Sequence, residues 1–396
     1  MKIAILFTNI GSYHAARLRA AQAAFADEGW ELIAIQVSNN TFEHPWGDLS
    51  QAITFSIETL LPGDGASSSL SSKEWKEVSS GIARHLDQLR PQVVFVPGWG
   101  FPAAGAILNW CRKNSSAAIL MSESKKDDAV RSVIREAIKA RFFVRKFSSA
   151  LVGGEAHKDY LVGLGMPAEN IFLGYDAVDN NYFIQSTDYF RGQGDAAFAS
   201  FITRKPYFLC VTRMMPRKNL PGLIAAYEIY RNRVPDGALD LVICGSGNQE
   251  NEIRSLLKDR CLDSFVHLPG FVSYQQLPMF FARASALIHP AFVEQWGLVV
   301  NEACAAGLPI LSSRTVGASA ELVRENENGF FFDPYDAPDI ANAMLKLHRL
   351  DAITRSQMGQ MSRNIVRSFG PERFGMGAVY AVHAALAFNA KSDGKG

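Results

Sequence analysis

Two hydrophobic rhythms alternate along this chain. Lys2 to Phe7 is an almost unbroken apolar run, Tyr13 to Glu28 an alanine-rich stretch with helical spacing, and Glu31 to Val37 a second run, which together predict a β-α-β opening. Further strands are predicted near Ala52 to Ile57 and at Val93 to Val96, Ala117 to Met121, Ala150 to Val152 and Ile171 to Leu173, with helices at Ser72 to Leu89 and around His157 to Leu164. The series then restarts, with strands at Tyr207 to Val211, Leu239 to Cys244 and Phe265 to Leu268 and helices at Leu220 to Arg233, Glu250 to Leu257 and Tyr274 to Ala284. Two α/β series of similar length predict two Rossmann-like doubly wound domains facing an interdomain cleft. Ile184 to Lys205 is polar and weakly patterned. The expected division is therefore 1–185, a linker over 186–205, a second domain over 206–370, and a closing segment over 371–396 whose apolar helix spans Ala378 to Ala390.

The stretch from His289 to Pro309 concentrates the chemistry. Ala286 to Ile288 reads as a buried strand, and Leu298 to Ala306 as a helix ended by Gly307 and Pro309. The intervening loop carries Glu294 and Gly297, and Glu302 follows in the second helical turn. Glycine at the helix start lets a ligand approach amides that favour an anion. A phosphate between two carboxylates that accept hydroxyl hydrogen bonds describes a nucleotide sugar. Paired glutamates near a helix start are also common on solvated surfaces, so the motif draws its weight from its surroundings.

Composition narrows the setting. Of 396 residues, 48% are hydrophobic and 20% charged, ordinary for a globular protein, and 40 basic against 39 acidic side chains leave no field that would argue for nucleic acid. Cys111, Cys210, Cys244, Cys261 and Cys304 are odd in number and scattered, which predicts neither a disulfide framework nor a metal site and suits a reducing cytosol. The opening residues do not read as a signal peptide, and no apolar run approaches a membrane span. The expected location is cytoplasmic, with one feature pointing to the inner face of a membrane. Val130 to Phe147 combines helically spaced apolar residues with Arg131, Arg135, Lys139, Arg141, Arg145 and Lys146, a pattern suited to anionic lipid as well as to an ordinary solvated helix face.

Each polar motif of the second half falls just after a predicted strand: Arg213 and Lys218, Gly245-Ser246-Gly247, Gly270-Phe271-Val272, Glu294 and Glu321. In a parallel sheet those strand ends share one edge. The first half offers a single-glycine loop, Thr8 to Ser12, at the corresponding place, which serves a tight turn as well as a phosphate contact.

Taken in order, TRMMPRKN, ICGSGN, EQWGLVVNEACAAGLP and GASAELV, preceded by LVGGEAHKDYLVGLGMPAENIFLGYDAVDNNYF, resemble the family 4 retaining glycosyltransferases of GT-B fold, within the glycosyl transferases group 1. The resemblance covers Ala150 to about Leu345, and the first 150 residues only by architecture. It implies that Arg213 and Lys218 clamp a donor diphosphate and that Glu294 accepts hydrogen bonds from donor sugar hydroxyls. Amides of Gly297 and Leu298 would lie near the phosphate, and Glu302 would hold the ribose. Gly245 and Gly247 would give room near the nucleoside, Phe271 and Val272 would border the base, and Gly11 would close on the phosphate from the other domain. It further implies transfer from a UDP or GDP donor to a glycan, lipid-linked or small-molecule acceptor by front-face displacement, with no cofactor. No Asp-x-Asp pair suggests a metal.

One departure concerns the base. Where many members place a histidine after the strand corresponding to Ala117 to Met121, this chain reads MSESKKDD, offering Glu123 and Asp127, with His14 as a further candidate. Two other functions fit the same architecture: a nucleotide-sugar epimerase or hydrolase, and a non-catalytic nucleotide-sugar-binding protein.

Overall fold

A computed structural model describes residues 1–38, 53–61, 71–129, 132–193 and 202–393. The chain divides into two compact units, Met1–Val178 with Phe369–Gly396, and Asp179–Ser368.

The first unit is a seven-stranded sheet of β1 (Lys2–Phe7), β2 (Glu31–Ser38), β3 (Ile57–Leu61), β4 (Val93–Pro97), β5 (Ala117–Ser122), β6 (Ser149–Val152) and β7 (Ile171–Leu173), in the order β3-β2-β1-β4-β5-β6-β7. Every neighbouring pair is parallel. The central strands read as solid apolar runs because helices cover both faces: β1 is buried from Ile3 to Phe7 and β4 from Val93 to Val96. Each fully buried Ile or Val there contributes roughly 1.5–3 kcal/mol. The edge strand β3 begins at Ile57, whereas the sequence pattern placed a strand over Ala52 to Ile57; Ala52 lies outside the described residues. A helix at Ala104–Lys113, missed in the periodicity, crosses from β4 to β5. Its buried face is Ala104, Ile107, Leu108 and Cys111, a short stripe between polar turns.

The closing helix Pro371–Asp393 belongs to this unit. Glycines let it sit against backbone: a Cβ on Gly375 would stand 2.7 Å from the Ala20 carbonyl oxygen. Ser149 Oγ donates to the Ala381 carbonyl at 2.7 Å.

The second unit is a six-stranded parallel sheet of β8 (Tyr207–Val211), β9 (Asp240–Cys244), β10 (Val266–Gly270), β11 (Ala284–His289), β12 (Ile310–Ser313) and β13 (Gly329–Phe332), in the order β10-β9-β8-β11-β12-β13. Strand order reverses between β8 and β11, and a doubly wound sheet opens its ligand crevice outside the carboxyl ends of the strands at that point.

Three expectations are corrected. The units part at Val178/Asp179 rather than at 185. The start of the presumed linker, 186–192, belongs to a helix, Asn180–Gly192, since Asn180, Phe183 and Thr187 supply a narrow buried stripe that a polar average conceals; 194–201 lie outside the described residues. The basic stretch is helical only over Val133–Phe142, followed by a 3-10 turn at Val144–Lys146, while 130–131 lie outside the described residues.

Candidate active site

Three loops of the second unit lace together at the carboxyl edge of β8 and β11. After β8 the chain turns through a 3-10 helix, Pro216–Lys218, and Asn219 takes a left-handed φ of 54° before the helix Leu220–Arg233 begins. Asparagine tolerates that conformation, and its Nδ2 donates to the Pro334 carbonyl at 2.6 Å. The Phe292 amide donates to the Arg217 carbonyl at 2.9 Å, tying the loop after β11 to this turn. The Gly317 amide donates to the Glu294 carbonyl at 3.3 Å and the Ala318 amide to the Trp296 carbonyl at 2.9 Å, which adds the GASAELV segment. Gly297 stands at φ 98°, a conformation for which glycine is suited, and caps the helix Leu298–Ala305. The first amides of that helix have no intrahelical partner by construction and favour an anion.

This lacing buries charge. Lys218 Nζ donates to Glu294 Oε2, with the two side chains 9% and 11% exposed. Burial, reinforced by the Arg217 and Arg213 cations, pulls the Lys218 ammonium down to about 7. His289, at the end of β11, is fully enclosed, and burial followed by the Lys218 charge lowers its imidazole to about 3, so it is neutral. Its Nε2 lies 3.4 Å from Glu294 Oε2. Glu302, one helical turn past the cap, is also buried. A cation that gives up its proton near neutrality beside a buried carboxylate can respond to an arriving dianion.

The remaining residues fall in several places. Arg213 is exposed just after β8. Phe271, directly after β10, is 55% exposed, and Val272 is half-buried. Gly245 and Gly247 have left-handed φ values of 134° and 159°. Protein packing by itself requires glycine at both: a Cβ on Gly245 would run into the Thr212 carbonyl and one on Gly247 into the Met214 carbonyl. The Met214 amide in turn donates to Ser246 O at 2.9 Å. Glu321 lies on the helix Gly317–Leu322, which follows β12.

Gly11 and Glu123 belong to the first unit, after β1 and β5 at that sheet's carboxyl edge. Gly11 caps the helix Ser12–Asp27, and its amide donates to His14 Nδ1 at 3.1 Å. The His14 ring packs 4.3 Å from the Phe7 ring. Glu123 is half-buried and Asp127 exposed. His289 and Arg217 were not among the expected site residues. A histidine closing an otherwise apolar strand was the available signal for the first; nothing marked the second.

Among the described residues there is no group of three or more His, Cys, Asp or Glu arranged to hold a metal, and no helix long and apolar enough to cross a membrane.

The two doubly wound units have the GT-B fold, and solved structures share that fold across the chain. Sucrose-phosphate synthase from Thermosynechococcus elongatus superposes with a TM-score of 0.74 at 18% identity, covering 98% of this chain and 99% of that one. HepE from Anabaena in complex with UDP-glucose gives 0.71 at 15% identity, covering 98% and 100%. Residues 195–365 match the family described as glycosyl transferases group 1, so the chain carries a domain of that family. Within it the chain is 31% identical over 182 residues to D-inositol 3-phosphate glycosyltransferase from Pseudarthrobacter chlorophenolicus, covering 46% of this chain and 43% of the relative. It is 33% identical over 150 residues to a GDP-mannose-dependent alpha-(1-6)-phosphatidylinositol monomannoside mannosyltransferase from Mycobacterium tuberculosis, covering 36% and 38%. The chain thus spans less than half the length of these curated relatives.

Proposed function

We propose that this chain is a retaining, metal-independent glycosyltransferase of family 4 that moves a hexose-type sugar from a UDP or GDP donor to a glycan, lipid-linked or small-molecule acceptor. The observation that carries the reading is the buried Lys218–Glu294 pair at the β8/β11 switch point, inside the matched segment and beside the Gly297 helix start. A donor diphosphate accepts from Lys218 and Arg213, while its sugar hydroxyls donate to Glu294 and its ribose hydroxyls to Glu302. As the anomeric C–O bond to the diphosphate breaks, negative charge grows on the leaving oxygen, where two cations and a helix N-terminus oppose it. The acceptor hydroxyl attacks the same face of the sugar and its proton passes to a donor phosphate oxygen.

Thermal stabilisation by a panel of UDP- and GDP-sugars tests donor binding, since a ligand at 100 times its Kd adds about 2.7 kcal/mol. Absence of any stabilisation would refute the reading. Product analysis without acceptor then separates transfer from epimerisation or hydrolysis, anomeric analysis of the product tests retention, and activity in a chelator tests metal independence.

Peripheral contact with an anionic membrane belongs to the same reading. Ile138 and Phe142, one turn apart, are 49% and 55% exposed beside Arg141, Arg145 and Lys146. The helix is tied to the rest of its unit through Tyr160, whose hydroxyl accepts from Lys139 Nζ at 2.7 Å and donates to Glu136 Oε2 at 2.5 Å. Vesicles containing phosphatidylglycerol should sediment with the protein and neutral vesicles should not.

A further inference from the structure

Three polar groups meet at one oxygen of the candidate donor site, and the proposed function uses only two of them. Lys218 Nζ donates to Glu294 Oε2; His289 Nε2 lies 3.4 Å from the same atom, outside hydrogen-bonding geometry, and has no other hydrogen-bond partner. At 2% exposure that ring nitrogen cannot turn to water. An enclosed imidazole nitrogen without a partner costs free energy in the ligand-free state. Glycine at 297 leaves the carboxylate and imidazole their room: a Cβ there would stand 3.2 Å from Glu294 Cγ and 3.4 Å from His289 Nε2.

Donor binding changes the balance at that oxygen. A diphosphate that draws Lys218 away takes from Glu294 Oε2 the protein donor that holds it in the free state, and leaves the sugar hydroxyls alone to fix a largely buried carboxylate. We propose that His289 is a positioning residue: as Lys218 turns to the donor diphosphate, His289 Nε2–H donates to Glu294 Oε2 and keeps the carboxylate aimed at the sugar hydroxyls. The imidazole suits this task because it is neutral, so it holds the carboxylate without cancelling the charge that attracts hydroxyl donors. His289 touches Glu294 rather than the substrate, and so acts through it. The proposal rests on the donor-site reading above and adds to it the exchange of one hydrogen-bond donor for another.

The test measures dissociation constants for UDP-glucose and GDP-mannose by calorimetry on the full chain and on His289→Phe, His289→Gln, Glu294→Gln and the double variant His289→Phe/Glu294→Gln. For whichever sugar nucleotide binds the wild type, the Phe variant should bind roughly 10- to 100-fold more weakly, the scale of a hydrogen bond to a charged group. The Gln variant, which keeps a side-chain N–H, should stay within about threefold, and in the Glu294→Gln background the Phe substitution should add little. Wild-type affinity in the Phe variant overturns the proposal. So does an equal loss in the Glu294→Gln background, which would mark a packing role. If neither nucleotide binds the wild type, the donor-site reading falls and takes this proposal with it. A second readout needs no variant: with 15N-labelled histidine among the eight in the chain, the His289 Nε2–H signal should move downfield on saturation with the donor, and an unmoved signal also overturns the proposal.

Discussion

The carboxyl edges of the two sheets have similar topology and very different chemistry. At the second, the turn after β8, the loop after β11 and the start of the helix Gly317–Leu322 are joined by backbone hydrogen bonds, and an ion pair and a neutral histidine are buried among them. At the first, Glu123 is half-buried, Asp127 is exposed, and Gly11 and His14 satisfy one another. Charge taken out of water has to be held in place before a ligand arrives, because rearranging it during the reaction would cost the stabilisation it provides. The contrast is therefore between an edge whose charged groups are fixed by burial and pairing and one whose carboxylates stay at least partly open to water; on the proposed function, the former holds the donor diphosphate.

The largest effect should come from breaking the dense edge. Lys218→Ala should lower transfer by about 10²- to 10³-fold and, by leaving Glu294 buried and unpaired, reduce stability by about 3 kcal/mol. Lys218→Ala/Glu294→Ala should regain much of the melting temperature without the activity, which separates the structural role of the pair from its chemistry. Gly245→Ala should cost about 3 kcal/mol in chemical denaturation, since its φ of 134° and the Thr212 carbonyl both exclude a side chain. By contrast Gly81→Ala, in the helix Ser72–Leu89 with open space around it, should gain about 0.5–1 kcal/mol.

At the sparse edge, Glu123→Gln should lower turnover no more than about tenfold and leave donor affinity unchanged, as expected where a donor phosphate oxygen rather than a carboxylate takes the proton. A loss of 10³-fold would show that the first unit supplies the base and erase the contrast. The pH dependence gives the smallest signal. With the Lys218 ammonium at about 7 in the free protein, the diphosphate favours its charged form, so binding takes up a proton above that pH. Affinity for UDP-glucose should weaken as pH rises above about 7, by at most about tenfold per unit. Calorimetry in two buffers of different ionisation enthalpy counts the protons.

Periodicity alone carried most of the strands, because buried parallel strands are continuous apolar runs: Lys2 to Phe7, Tyr207 to Val211 and Ile171 to Leu173 were read to the residue. It failed where burial is one-sided or narrow, as in the edge strand Ile57–Leu61 and the helix Asn180–Gly192. In the site, the order of motifs was legible because each must follow a strand. The packing constraint on Gly245 and Gly247 was not, since the Thr212–Met214 backbone that sets it lies more than thirty residues earlier in the chain.

The amino-acid sequence by itself determined that two parallel α/β units would form and that Arg213, Lys218, Glu294 and Glu302 would follow strands of the second, because hydrophobic spacing is a local property. Only the tertiary structure decided that β8 and β11 are neighbours, and hence that Lys218 is enclosed against Glu294 with His289 beside them. Burial and pairing depend on which distant segments exclude water from one another, and that dependence sets the charge of Lys218 and the neutrality of His289.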